Sequence, residues 1–302
     1  MKARHCIEFI FCWLVLKTLG SLPRAVARPC AGVLFGILSW FTPRLRRVGL
    51  QNLAMALPAL NSPERERIVR GVYRSLARLL VEAAHCPTLT RSNVGQMVIF
   101  DGLENYDAAL ARGRGVIFLT AHVGAWELGA FAHGLRGDPL NVVYRALDNP
   151  SLNKLVNRYR SLGGNRLIEK RESARSILAA LGRNETVGIL ADQNTLPEEG
   201  VFVSFFGIPA STTAGIARIA LHSGAAVLPA FCVWDAGARR FCILYQRALD
   251  FSVTGDTERD VQAATQQMAA VIERVVRAWP DQWLWIHRRW KTRPPGQPPL
   301  YV

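Results

Sequence analysis

The alternation of apolar and polar positions divides the chain into three stretches. Two short apolar runs come first, I-E-F-I-F-C-W-L-V-L (Ile7–Leu16, closed by Lys17) and C-A-G-V-L-F-G-I-L-S-W-F (Cys30–Phe41, between Pro29 and Pro43). As a helix the second run reaches only ~18 Å, against a hydrocarbon core of about 30 Å. The first reaches farther if it begins near Ala3, but Glu8 then lies inside it. The pattern predicts a pair of interfacial or shallowly inserted helices over residues 1–43, with Trp13 and Trp40 at headgroup level. A span by the first helix and a buried helical cap on a water-exposed core stay open as alternatives. No small-residue cleavage site directly follows the first run, which argues against a removable signal peptide.

Residues 44–92 read as helical and basic, with Ser62-Pro63-Glu64 marking a helix start: a cap, then proline at the first helical position. From residue 100 the pattern alternates. Apolar β-rich runs are expected as strands at Val116–Ala121, Leu140–Arg145, Arg166–Ile168, Thr186–Ala191, Val201–Phe206, Ala225–Trp234 and Arg240–Ala248. Helices are expected at 125–135, 149–162, 173–181, 212–223 and 257–279, the last with apolar residues at i, i+3/i+4 spacing. Strands alternating with short helices predict an α/β fold. Its sheet should be mixed but mostly parallel and flanked by helices, with Cys242–Ala248 an antiparallel edge. No linker cuts the chain. The organisation read from the sequence is an N-terminal hydrophobic helical membrane anchor (1–43) followed by a single catalytic domain (44–302, with a helical lead-in over 44–100).

Charge adds a partner class. The 302 residues carry 37 Lys+Arg against 23 Asp+Glu, a net +14. Residues 1–50 hold Lys2, Arg4, Lys17, Arg24, Arg28, Arg44, Arg46 and Arg47 against Glu8 alone. Basic residues interleaved with Phe, Trp and Leu fit an anionic membrane surface better than a nucleic-acid groove. The six cysteines show neither C-x-x-C nor zinc spacing and read as reduced apolar fillers. No metal site and no cofactor motif is present.

The chemistry concentrates in T-A-H-V-G-A-W-E-L-G-A (Thr120–Ala130), directly after an apolar strand. His122 and Glu127 are five apart, about 140° off one face of a continuous helix. They can meet if His122 sits in a strand-to-helix turn eased by Gly124 and Glu127 in the first helical turns. That puts a histidine base at the carboxyl end of a strand, where open α/β sheets place their ligands. A carboxylate on its second nitrogen would fix the tautomer. With no G-x-S-x-G elbow and no H-E-x-x-H, the pair suggests direct transfer to a substrate hydroxyl. A histidine satisfied by backbone, with Glu127 solvated, is the structural alternative.

Further segments carry a resemblance: A-H-V-G-A-W-E-L-G, V-Y-R-A-L-D-N-P (Val143–Pro150), N-R-Y-R-S-L-G-G (Asn157–Gly164), I-L-A-D-Q-N (Ile189–Asn194), S-T-T-A-G (Ser211–Gly215) and D-Q-W-L-W-I-H-R-R-W-K-T-R-P (Asp281–Pro294). In this order they resemble the bacterial lipid A biosynthesis acyltransferases, the lauroyl/myristoyl transferase family within the lysophospholipid-acyltransferase-like superfamily. The resemblance implies His122 and Glu127 as the catalytic pair. It implies Arg160, Asp192 and Arg145 as substrate-binding or transition-state-stabilising residues, with Arg160 on an oxyanion or a phosphate and Asp192 orienting Arg160 or the acceptor. Arg288, Arg289 and Lys291 are candidate anionic-ligand contacts. Thr212 and Thr213 read as helix-start caps and His287 as structural. The implied donor is an acyl carrier protein thioester, and the implied acceptor is a phosphorylated glycolipid, the lipid A precursor. The implied place is the cytoplasmic face of the bacterial inner membrane, with no cofactor, metal or nucleic acid. A same-family enzyme acting on another glycolipid is the alternative acceptor reading. A non-catalytic protein binding anionic membrane or nucleic acid is the alternative from a different class.

Overall fold

The computed structural model describes residues 3–170 and 173–301, the Ser173 side chain aside. Lys2, counted among the basic residues above, lies outside them, as do the outermost residues of both proposed domains. Four helices come first: α1 (Ala3–Ser21), α2 (Arg24–Phe41), α3 (Pro43–Ala56) and α4 (Ser62–His85). The cap of α4 is Asn61 rather than Ser62. Its side chain accepts from Glu64 N at 2.9 Å, and the Glu64 carboxylate accepts from Asn61 N at 2.8 Å, a reciprocal capping box. α2 runs through Pro29 instead of starting after it, because one of its faces is held on α4. Ala27 and Ala31 are fully buried there, and Arg24 and Arg28, one turn apart, both donate to the fully buried Glu82 of α4. Removing one side of such a pair leaves a buried charge uncompensated, at about 3–5 kcal/mol.

The opposite faces of α1 and α2 are apolar and open: Ile7, Phe11, Leu14, Val33, Ile37, Trp40 and Phe41 are all exposed, Trp40 at 85%. Among the described residues no single helix is long and apolar enough to cross a membrane. α2 and α3 qualify only as a pair, bent by 89° at their junction.

The remaining elements are β1 (Val98–Asp101), α5 (Leu103–Leu110), β2 (Val116–Thr120), α6 (Trp126–Leu135), β3 (Leu140–Tyr144), α7 (Pro150–Ser161), β4 (Arg166–Glu169), α8 (Ser173–Gly182), β5 (Thr186–Leu190), β6 (Gly200–Phe205), β7 (Ile208–Thr213), α9 (Gly215–Ser223), β8 (Ala226–Asp235), β9 (Arg240–Tyr245) and α10 (Thr257–Ala278). Seven strands form one sheet in the order β1-β9-β8-β2-β5-β3-β4, parallel throughout except for β8–β9. The antiparallel pair was expected, but β9 is not the edge. β1 lies outside it, a four-residue strand too short to show a periodicity. The mostly apolar β2 and β8 are buried on both faces, as interior strands of a covered sheet require.

Helices α5 and α6 cover one face of the sheet, while α3, α4, α8, α9 and α10 pack around the other. β6 and β7 form a separate hairpin. The stretch expected as one helix over 212–223 is therefore split: Thr212 and Thr213 end β7, and α9 begins at Gly215.

Candidate active site

β2 ends at Thr120, and five residues carry the chain into α6. Gly124 makes that turn possible, with φ +59°. A Cβ at this position would sit 2.2 Å from the Cys232 carbonyl oxygen, so both the backbone angle and the close approach require glycine. The turn is bonded on both sides. Ala125 N donates to Cys232 O at 2.8 Å, Gly124 N to Gln282 O at 2.9 Å, and Leu284 N to His122 O at 3.1 Å. Val123 also forms a β-bridge with Trp283. The segment after α10 thus straps down the turn that presents His122.

β5 lies beside β2 in parallel, from Val116↔Thr186 to Thr120↔Leu190. Continued two residues past the strand ends, the same register sets His122 against Asp192. His122 Nδ1 is 2.8 Å from Asp192 Oδ1, and His122 N donates to Asp192 Oδ2 at 3.0 Å. Trp283 Nε1 donates to Oδ2 at 2.8 Å. Asp192 is 2% exposed. Burial alone would raise its pKa, but the His122 charge and these hydrogen bonds outweigh it and bring the group down to about 2. Asp192 is therefore an ionised acceptor, His122 Nδ1 carries the proton, and Nε2 keeps its lone pair toward a cavity that His122 lines. Burial disfavours the imidazolium, yet Asp192, followed by Glu127, overcomes it, and the His122 pKa lies above the ordinary histidine value.

The carboxylate on His122 is thus Asp192, where the spacing argument had placed Glu127. Glu127 sits in the first turn of α6, a favourable place for an anion, and faces α7. There Arg160 Nε donates to Oε2 at 2.9 Å and Nη2 to Oε1. Among the described residues Arg160 is held by Glu127 and makes no hydrogen bond to Asp192. The Arg160 pKa is raised: burial opposes the charge, and the Glu127 bond and field win. Nη1 of Arg160 makes no protein hydrogen bond among the described residues.

His122, Glu127, Arg160 and Arg145 all line one cavity of about 590 Å³. Arg145 stands at its rim with its side chain 82% exposed and a 3.4 Å contact to Asp148. β3 and β5 pair only from Leu140↔Thr186 to Val142↔Gly188, although both strands run on. The cavity lies at the divergence and is lined from both faces of the sheet, the crevice expected where connections leave to opposite sides.

In the C-terminal basic cluster Arg289 is turned into the core, while Arg288 and Lys291 stay outside. Arg289 is 1% exposed and donates to Ser211 O at 2.7 Å, to Gln193 O at 3.3 Å and to Thr212 Oγ1. Its guanidinium lies 5.1 Å from the Phe205 ring centre. Burial draws its pKa down to about 10. Trp283, Trp285 and Trp290 anchor the segment in the core and carry Arg289 in with them. Arg288 and Lys291 are exposed and do not line the cavity. His287 Nε2 accepts from Asn194 N at 3.1 Å, and burial lowers its pKa to about 4, so it is a neutral clamp on the Asp192–Asn194 loop.

Trp283 and Gln193 were not singled out from the sequence. Gln193 lines the cavity with its amide 3.5 Å from His122 Nε2. Both lie inside motifs quoted above, but neither residue type signals its contact before the fold is known.

Known proteins are similar in sequence to most of this chain. The sequence model of the family described as bacterial lipid A biosynthesis acyltransferase matches residues 1–292. A lipid A biosynthesis palmitoleoyltransferase of Escherichia coli (strain K12) is 30% identical over 289 residues, covering 95% of this chain and 89% of that protein. A lipid A biosynthesis lauroyltransferase of the same strain is 27% identical over 290 residues, covering 96% and 92%. A phosphatidylinositol mannoside acyltransferase of Mycobacterium tuberculosis (strain ATCC 25618 / H37Rv) is 28% identical over 245 residues, covering 80% and 75%. With a mixed α/β sheet that brings a histidine to the end of a central strand, and a family match over nearly its full length, this chain belongs to the bacterial lipid A biosynthesis acyltransferases.

Proposed function

We propose that this acyltransferase moves a fatty acyl chain from an acyl carrier protein thioester to a hydroxyl of a lipid A precursor, with His122 as general base. The observation that carries the reading is the Asp192–His122 pair, with Nε2 turned to a cavity that Arg160 and Arg145 also line. Nε2 takes the proton of the acceptor hydroxyl, and the oxygen attacks the thioester carbonyl carbon. The tetrahedral oxyanion collapses, the C–S bond breaks, and the imidazolium returns its proton to the departing sulfur. Asp192 holds the tautomer and offsets the imidazolium charge. Arg160, fixed by Glu127, offers Nη1 to the oxyanion or to an acceptor phosphate, a geometry suited to guanidinium. The net charge of +14 suits both an acidic carrier protein and a phosphorylated acceptor.

The same reading places the protein at the cytoplasmic face of the inner membrane, with the exposed apolar faces of α1 and α2 in the lipid interface. α1 also packs on α7, the helix that carries Arg160: Asn149, the cap of α7, donates to His5 O at 2.8 Å and to Glu8 at 3.0 Å. A lipid-linked acceptor thus reaches the cavity along the surface these helices cover. Residues 1–43 form the membrane-associating unit and 44–302 the catalytic one.

The test is acyl transfer from acyl carrier protein thioesters to a lipid A precursor, with product masses read by mass spectrometry. Wild type should add one acyl increment, and His122→Ala should lose at least about 10³-fold in rate. Undiminished transfer by that variant rules out His122 as base. The mycobacterial relative supports a second acceptor reading, the same chemistry on a different glycolipid. A phosphatidylinositol mannoside offered in parallel decides between them.

A further inference from the structure

One part of the cavity lies between α6 and the sheet, and its shape follows from small residues. Gly129 and Ala130 face it from α6, and Gly188 faces it from β5, in register between Phe118 of β2 and Val142 of β3. Glycine costs a strand interior some stability. Here no left-handed angle calls for it, and an added Cβ would meet nothing nearer than Leu140 Cδ1 at 3.8 Å. Gly188 therefore keeps space open and does not serve backbone geometry.

The inner end of this space is polar. His133, 1% exposed, lines it, and its Nδ1 is 2.8 Å from Tyr245 Oη. Its Nε2 is buried and has no hydrogen-bond partner among the described residues. The ring lies 4.9 Å from Phe118 and 4.8 Å from Tyr106 in edge contacts. Two routes give the depth. From Trp126, which touches His122, to His133 is about 10 Å of helix. From His122 back to Phe118 is about 13 Å of strand.

We propose that this part of the cavity holds the hydrocarbon tail of the transferred acyl group, and that the His133–Tyr245 pair marks where the tail must stop. The inference rests on the acyl-transfer reading and assigns its chain-length selectivity. A tail ending short of His133 buries only methylene against apolar walls. One reaching it presses its methyl end on the hydrogen-bonded His133–Tyr245 pair, a polar floor that gives hydrocarbon no further apolar surface. The floor thus penalises overlong chains by chemistry as well as by shape. Desolvation, with Arg136 nearby, lowers the His133 pKa to about 3, so the floor is neutral during turnover.

The experiment offers the full-length protein a series of saturated acyl carrier protein thioesters, two methylenes apart, and compares rates. Gly188→Val fills the notch and should move the preferred donor at least two methylenes shorter, with Gly188→Ala a smaller step the same way. His133→Leu combined with Tyr245→Phe makes the floor apolar without stranding either partner. The next longer donor should then gain about tenfold relative to the preferred one, the equivalent of about 1.4 kcal/mol. Thermal melts confirm folding. If Gly188→Val is inactive with every donor, Gly188→Ala and the double variant decide. A wild type that acylates the precursor while the active variants keep its chain profile overturns this inference alone. A wild type that transfers from no donor overturns the acyl-transfer reading as well.

Discussion

At the residue scale, the centre is a buried aspartate that costs solvation and is stabilised by the groups it orients. His122 acts as a base only when neutral, and its pKa is raised. The rate should fall as pH drops through that raised value, higher than the ordinary imidazole value of about 6.5. Asp192→Asn removes the charge that favours the imidazolium, so the acid limb should move to lower pH. The rate itself should fall by about 10³–10⁴-fold, because an amide no longer enforces a proton on Nδ1. A pH–rate profile of both proteins checks the two effects, and an unmoved acid limb contradicts the assignment. Glu127→Gln and Arg160→Lys address the neighbouring pair. Each should lower kcat by about 10²–10³-fold, the scale of losing one oxyanion donor. Lysine cannot hold Glu127 and still present a nitrogen to the cavity. His122 and its turn were legible in the sequence because an apolar strand, Gly124 and a helical pattern are local signals. The partner of His122 was not. Glu127 is near in sequence, whereas Asp192 becomes a neighbour only once β5 is known to lie beside β2.

At the element scale, the turn between β2 and α6 and the strap after α10 act as one unit. Gly124→Ala forces a left-handed angle at about 1–3 kcal/mol and drives a methyl into the Cys232 carbonyl. A fall of several degrees in Tm is expected, larger than for Gly182→Ala, where an added methyl meets nothing within 4 Å. Trp283→Phe keeps the aromatic body and removes the donor to Asp192, so kcat should fall with KM little changed. The long amphipathic helix α10 and the buried strands were readable from periodicity alone. β7 was not, since S-T-T-A-G resembles a helix start and pairs only through a hairpin whose corner holds Phe206 at φ +55°. Arg289 was misplaced for a related reason. A run of basic residues suggests surface, but the tryptophans on either side are core anchors, and the arginine between them goes inside.

At the scale of the whole molecule, the N-terminal helices are fixed to the body as well as exposed to the outside. Deleting residues 1–43 would strip Arg24 and Arg28 from the buried Glu82, so loss of function on truncation would not separate membrane contact from stability. Trp40→Glu with Phe41→Glu tests the surface more cleanly, since both side chains are at least 80% exposed. Partition to vesicles containing anionic lipid should weaken by at least about tenfold, with Tm unchanged. Binding that persists undiminished contradicts the interfacial placement. Wild-type binding should weaken as salt rises, because the basic residues between the apolar runs act through a screened field.

The strap has a consequence for how the enzyme comes into being. A ribosome delivers the chain in order, and domains gain structure as they emerge. The sheet strands, the histidine turn and the Asp192 loop are all made before residue 281. Trp283, His287 and Arg289, which hold that loop and that turn, follow only afterwards. Until then Asp192 lacks its indole donor and the turn lacks its bridge at Val123. A chain released near Trp279 would lack three buried core tryptophans as well as these contacts, so the catalytic centre is complete only once residues 281–290 have packed onto the sheet.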